Sequence, residues 1–157
     1  MPDSKTSLLN RLTKAPLVAD QKRAKAQLKD FIGRVRDQPE AASLLQHLDE
    51  GLFRDLLLGI ADHSPFLWQL AINGPARVAR LAFTAPEEAH RAIVENQTGL
   101  FRALRSGAMT RDQAVRAFRR NRNAHALLVA AADIGGLWST EQVTRALSDF
   151  ADASVAG

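Results

Sequence analysis

The residues best equipped for chemistry are four arginines, Arg116, Arg119, Arg120 and Arg122, gathered in the stretch RAFRRNR. Guanidinium groups stay charged and present forked donors to phosphate or carboxylate. Such a cluster therefore fits an anion or the docking of an acidic surface. Other candidates are thinner. His47, His63, His90 and His125 show no i, i+4 pairing and the chain has no cysteine, so a zinc site is not expected. Asp149 and Asp152 lie three apart on a helical pattern, the spacing of a solvated face. Ser64 precedes Pro65 and reads as a helix cap rather than a nucleophile. No glycine-rich phosphate loop of either common spacing occurs. No catalytic, cofactor-binding or metal-binding residue emerges from the residue types alone.

The arginines sit on a helix with clear ends. Thr110 is followed three residues later by Gln113, the spacing of a capping box, and the pattern runs to Gly135-Gly136. At about 100° per residue, Arg116, Arg119, Arg120 and Asn123 cluster on one face, opposite Ala114, Phe118, Leu128 and Ala132. Asn121, Arg122 and His125 fall among the apolar positions, and His125 reads as a hydrogen-bonded core histidine. From Ala124 to Ala132 nearly every residue is apolar, so this half is expected to be covered all round. A second helix opens at Ser139, with Gln142 three on, and carries Val143, Leu147, Phe150, Ala151 and Val155 at helical spacing.

The elements ahead of these are helical too. Residues 1–19 read as a flexible arm or short docking helix, with Leu8, Leu9 and Leu12 as its apolar patch. Asp20 to Arg36 carries the stripe Ala24, Leu28, Phe31, Ile32, Val35, and Pro39 restarts a helix that Gly51 bends or splits. Leu52 to Ala61 is core-bound. Ser64-Pro65, Asn73-Gly74-Pro75 and Thr84-Ala85-Pro86 then start three short helices, the last reaching about Glu95, with Gly99–Ser106 as another helix or a continuation. Trp68 and Trp138 are expected as core or interface anchors. The expected fold is all-α, an irregular bundle of about eight or nine helices with no sheet, and residues 20–157 form a single helical domain. No apolar run approaches the ~20 residues of a membrane span, there is no signal-peptide core, and a cytoplasmic location is expected.

The net charge of +4 hides a blocked pattern. Residues 1–36 hold nine basic and three acidic side chains, and residues 37–62 one basic and six acidic. Residues 102–122 hold seven basic against one acidic, and residues 133–157 one against four. Pairing of basic with acidic helices inside the chain is the favoured reading. A free-standing basic binding module, for nucleic acid or an acidic protein, is the alternative. Without a helix-turn-helix pattern, nucleic acid is the less favoured partner.

Two strings carry a resemblance. Leu58-Gly59-Ile60, then Ser64-Pro65-Phe66-Leu67, Leu70 and Pro75 form the first. Phe118-Arg119-Arg120-x-Arg122, Leu127-Leu128, Asp133-Ile134-x-Gly136 and the helix through Val143, Leu147, Ala151 and Val155 form the second. In order and spacing, over Gly51 to Val155, they resemble the helices ahead of the N-terminal catalytic domain in the bifunctional glutamine synthetase adenylyltransferase/adenylyl-removing family. Ala124-His125 departs from that pattern, since members often carry larger charged residues there.

The resemblance implies a parent polypeptide with two nucleotidyltransferase domains. One transfers AMP from ATP to a tyrosine of glutamine synthetase and the other removes it with phosphate, under control of glutamine and a PII-type signal protein in nitrogen metabolism. ATP and Mg²⁺ are the cofactors it implies for that parent. In the family the chemistry sits at a Gly-Ser turn followed by Asp-x-Asp, and this chain contains neither. The 157-residue stretch is therefore expected to be a fragment or excised domain, or a natural truncation that lost the enzyme; it is expected to be non-catalytic alone and, within the parent, to support the removase half. Ser64, Pro65, Phe66, Leu67, Asp133 and Gly136 are expected as structural motif positions. Arg119, Arg120 and Arg122 are expected either to dock against the catalytic domain of the same polypeptide near its phosphate-handling side, or to be solvated, with Arg122 paired to an acidic neighbour.

Overall fold

Four of the helices begin at a side chain that satisfies an N–H the first turn would otherwise leave open. In the computed structural model, which describes residues 5–155, Asp20 caps α2 (Gln21–Arg36) by accepting from the Arg23 N–H at 3.1 Å. Ser64 caps α4 (Pro65–Ile72) by accepting from Leu67 N–H at 3.2 Å. Thr110 and Gln113 form the reciprocal box that opens α7 (Arg111–Ile134), at 3.2 and 2.9 Å. Ser139 and Gln142 repeat it at α8 (Thr140–Val155), at 3.2 and 2.8 Å. Proline occupies the first turn of α4, of α5 (Pro75–Ala82) and of α6 (Pro86–Ser106), where its missing N–H costs nothing.

The described residues are all-α, without a strand. Their order is a short α1 (Leu8–Arg11), α2, a 3-10 helix over Pro39–His47, α3 (Leu52–His63), then α4 to α8. Two expectations are sharpened. The Pro39 segment winds as a 3-10 helix and ends before Gly51, whose φ of 101° suits only glycine. The stretch through Gly99 is no separate helix: α6 runs unbroken for 21 residues to Gly107, in the left-handed conformation at φ 78°.

The helices form two groups. Helices α2 to α5 and the 3-10 helix enclose Phe31, Val35, Leu44, Leu48 and Leu56, all 2% exposed or less. Helices α6, α7 and α8 form a second, three-helix layer. Its second half joins the two, because Leu127 and Ala131 of α7 face Leu56, Ile60 and Ala71. Leu128 and Ala132 are wholly buried. The apolar half of α7 is thus anchored in the core, while its arginine half stands outside it.

The segment ahead of α2 crosses both groups. Leu8 and Leu12 are buried, and the Thr13 N–H donates to Gly135 C=O at 2.9 Å. Arg11 pairs with Glu87 at the start of α6. Pro16 lies directly on Gly59 of α3, so close that a β-carbon there would overlap the ring. Asp62 then accepts from the N–H groups of Ala19 and Asp20, at 2.7 and 3.2 Å, and from Arg23 at 3.1 Å. Those backbone bonds, chiefly the one from Ala19, hold its carboxyl below the usual range. Residues 1–4 of the expected arm lie outside the described residues.

Candidate functional site

An amide network sets the register of α6, α7 and α8. The buried Asn121 amide donates to Ile93 C=O at 3.0 Å and to Gln97 Oε1 at 2.9 Å, while its own Oδ1 accepts from Asn96 at 3.0 Å. Gln97 passes the chain on by donating to Ser154 Oγ at 3.1 Å, and Ser154 donates to Phe150 C=O at 2.8 Å. A polar group buried at a helix seam persists only when its hydrogen bonds are made, and here they tie three helices at one level.

One level from this network lies a second contact set. His125 of α7 is 3% exposed and stacks on Phe150 of α8, and its ring centroid lies 5.3 Å from that of His90 on α6. His90 meets Asp149 at 3.3 Å and approaches the edge of Trp138, whose indole N–H donates to Glu87 at 3.0 Å. Burial, and secondarily His90, push the His125 imidazole down to about 4. Partial burial raises the Glu87 carboxyl, but hydrogen bonds from Arg11 and Trp138 outweigh it and leave the group below its ordinary value. His125 was expected to be a hydrogen-bonded core histidine, and the Ala146 backbone does hydrogen-bond to it; its Nε2 is buried without a partner, and Phe150 stacks on the ring. The pairing of His90 with His125 has no trace in sequence spacing, because the two come from different helices.

The network leaves an arginine-rimmed groove of about 430 Å³ where α6, α7 and α8 converge. Phe101, Phe118 and Phe150 line it, the first two at 4.6 Å between ring centroids, and Val115, Arg119 and Arg122 flank them. Here the expectations for α7 need correction. Arg122 lies on the exposed surface and not on the buried side, where only Asn121 and His125 go. It lines the groove with the three phenylalanines. Arg122 has no acidic neighbour within ion-pair distance among the described residues, and neither do Arg116, Arg119 and Arg120. Basic block 1–36 meets acidic block 37–62 at Arg23–Asp62, whereas these four arginines are left aside.

The three arginines grouped by sequence are also divided. Arg119 and Arg122 flank the groove, whereas Arg120 lies about 200° around the helix from Arg122. Arg120 belongs with Arg77 and Arg80 of α5: partial burial first, then these two neighbours, lower the Arg77 guanidinium below its ordinary value. On α8, Leu147 and Val155 are 52% and 82% exposed, against the expectation that they share the apolar stripe. The buried face there is carried by Ala146, with Phe150 and Ser154.

The motif residues fall at helix ends. Ser64 and Pro65 start α4, Phe66 is 60% exposed and Leu67 is half-buried against the core. Asp133 is exposed in the last turn of α7, where its carbonyl accepts from the Gly136 N–H at 3.2 Å. Gly136 has φ 77°. Trp68 and Trp138 are both buried. Asp149, Asp152, Glu87 and Glu95 line a second open groove beside His90. Among the described residues no three His, Asp or Glu side chains are placed to hold a metal ion. No helix among them is long and apolar enough to cross a membrane.

Fold and site together define an all-α fold whose distinctive surface is a groove with phenylalanine walls and arginine rims. The family model for glutamate-ammonia ligase adenylyltransferase matches residues 53–157. A bifunctional glutamine synthetase adenylyltransferase/adenylyl-removing enzyme of Bradyrhizobium sp. strain BTAi1 is 36% identical over 148 residues, covering 94% of this chain and 14% of the relative. Enzymes of the same description from Bradyrhizobium diazoefficiens and Xanthobacter autotrophicus are 32% and 34% identical, covering 95% and 98% of this chain. The chain belongs to the glutamate-ammonia ligase adenylyltransferase family. It spans only 14 to 15% of the length of these relatives. No solved structure gives a significant match.

Proposed function

We propose that this chain is the helical segment ahead of the adenylyl-removing domain in an enzyme that adenylylates and deadenylylates glutamine synthetase. On this reading the stretch does no chemistry itself. It supports the removase half by presenting Arg119 and Arg122 to the catalytic domain of the same polypeptide, near its phosphate-handling side. Arg120, on another side of α7, takes no part in that contact. ATP and Mg²⁺ belong to the catalytic domains, and glutamine synthetase and a PII-type signal protein are the partners of the whole enzyme.

The observation that carries the reading is the family match over residues 53–157, combined with relatives whose printed activity is adenylylation and its reversal. The lack of Gly-Ser and Asp-x-Asp in the sequence agrees with a supporting role. So do two rim arginines that are exposed and without an ion-pair partner among the described residues.

The test is made in the protein expressed from its complete coding region. Release of AMP from adenylylated glutamine synthetase by phosphate is followed for the parent and for Arg122→Ala. Because Arg122 is exposed, melting should move little, within about 0.5 kcal/mol of stability. The removal rate should fall while the opposing transfer rate holds. An unchanged removal rate, or a loss explained by a lower melting temperature, overturns the arginine's role. Absence of both activities overturns the functional assignment.

A further inference from the structure

Helix α8 covers only part of the surface that α6 and α7 make together. It runs antiparallel to α7: Phe150 sits on His125, and Ser154 reaches the Gln97–Asn121 level. Among the described residues it runs to Val155. Beyond that level α6 continues to Ser106 and α7 reaches back to Arg111, packed on each other through Phe101 and Phe118. The uncovered hairpin is roughly 14 Å long, or about two and a half helical turns. It carries Val115, 49% exposed, and the half-buried Phe101 and Phe118, with Arg119 and Arg122 unpaired beside them.

We propose that this hairpin seats an acidic amphipathic helix supplied by the polypeptide that follows α8 in the complete protein, lying in the α8 layer over Phe101, Val115 and Phe118. This deepens the docking proposed above and rests on that reading, because it takes the chain as one segment of a longer enzyme. Three features select this occupant. Phe150 and Ser154 of α8 line the groove, so a segment joined to α8 starts beside it. Its length suits a helix of about ten residues, with apolar side chains at i, i+3 or i+4 and i+7. Its rim is cationic, in a stretch with seven basic residues and one acidic, so carboxylates beside the apolar stripe complete it. The relatives, of which this chain spans 14 to 15%, have ample length for such a segment.

The test places a photo-crosslinking amino acid at position 115 in the protein expressed from its complete coding region, and at position 52 as a control. Leu52 is 40% exposed and lies on α3, at a different groove. Mass spectrometry then maps the product. An intramolecular crosslink from position 115 to residues beyond 157, absent from position 52, is the expected result. Joint replacement Arg119→Glu and Arg122→Glu should lower its yield about tenfold, with melting unchanged. A crosslink between two copies, a crosslink to another protein, no product, or a coding region that ends at residue 157 overturns the proposal. If the same preparation exchanges AMP on glutamine synthetase while the crosslink falls elsewhere, only the docking fails. If the crosslink forms without either activity, the docking stands and the assigned function fails.

Discussion

The imidazole of His125 lies flat against the ring of Phe150, with centroids 4.3 Å apart and planes 13° apart. A ring so enclosed is hydrated poorly, and His90 on its other side would repel a second positive charge. The neutral form is therefore the one the α6–α7–α8 layer is built around.

This has a consequence for pH. The His125 pKa falls from an ordinary 6.5 to about 4 in the folded chain, so the unfolded chain takes up this proton first. Stability should be intact above about pH 6.5 and decline as the pH falls toward 4, by about 3 kcal/mol in all. Carboxylates held below their usual range, Asp62 and Glu87, lose their contribution at lower pH and so in a separate window. Urea unfolding at pH 7 and pH 4.5 should show a smaller midpoint difference for His125→Phe than for the parent chain. Equal differences would mean that another group titrates.

Asn121→Leu should destabilise by about 2 to 3 kcal/mol. The change removes three hydrogen bonds and leaves Gln97 Oε1 and Ile93 C=O short of a donor in a buried seam. Asn121→Asp keeps the shape but replaces the donating amide with oxygen, so it should not rescue. Thermal unfolding of the three proteins at one pH decides this.

Gly59→Ala should cost about 1 to 3 kcal/mol, although alanine is the better helix former. The added methyl would occupy the space of the Pro16 ring, which is rigid and flanked by a chain tied down on both sides. A companion Pro16→Gly change should recover part of the loss. Denaturant midpoints of the single and double variants form the cycle that measures it.

Asp62→Ala should loosen the crossing segment without unfolding the bundle. The side chain gathers the N–H groups of Ala19 and Asp20 and the guanidinium of Arg23, all at one end of that segment. Limited proteolysis should then cut among residues 13–20, where the parent chain resists. An unchanged digestion pattern would show that the contacts at Thr13, Lys14, Pro16 and Leu17 hold it without Asp62.

Much of the fold was legible because local chemistry decides helix ends. Ser64, Thr110 and Ser139 cap, prolines 65, 75 and 86 start first turns, and the glycines after α6 and α7 stop them. The core side of α2 and the buried half of α7 followed from periodicity. The candidate site was less legible. Periodicity assigned Leu147 and Val155 to the apolar stripe of α8, and both are exposed. Ser154 and Ala146 face inward instead, because a small hydroxyl and a methyl let α8 approach Gln97 and His125. The stretch RAFRRNR marked its own chemistry, yet grouped three arginines that the helix turn separates.

What the sequence determined by itself is the class of fold, the ends of its helices, the family motifs and the place where positive charge gathers. Those are local properties, set by neighbours within a few residues along the chain. Tertiary structure alone decided that Arg119 and Arg122 rim one groove while Arg120 joins Arg77 and Arg80. It alone set His90 against His125 and laid Pro16 on Gly59. The physical reason is that each of these relations depends on the angle and register at which two helices pack. That geometry is fixed by the side chains of both partners at once, and no single stretch of sequence contains it.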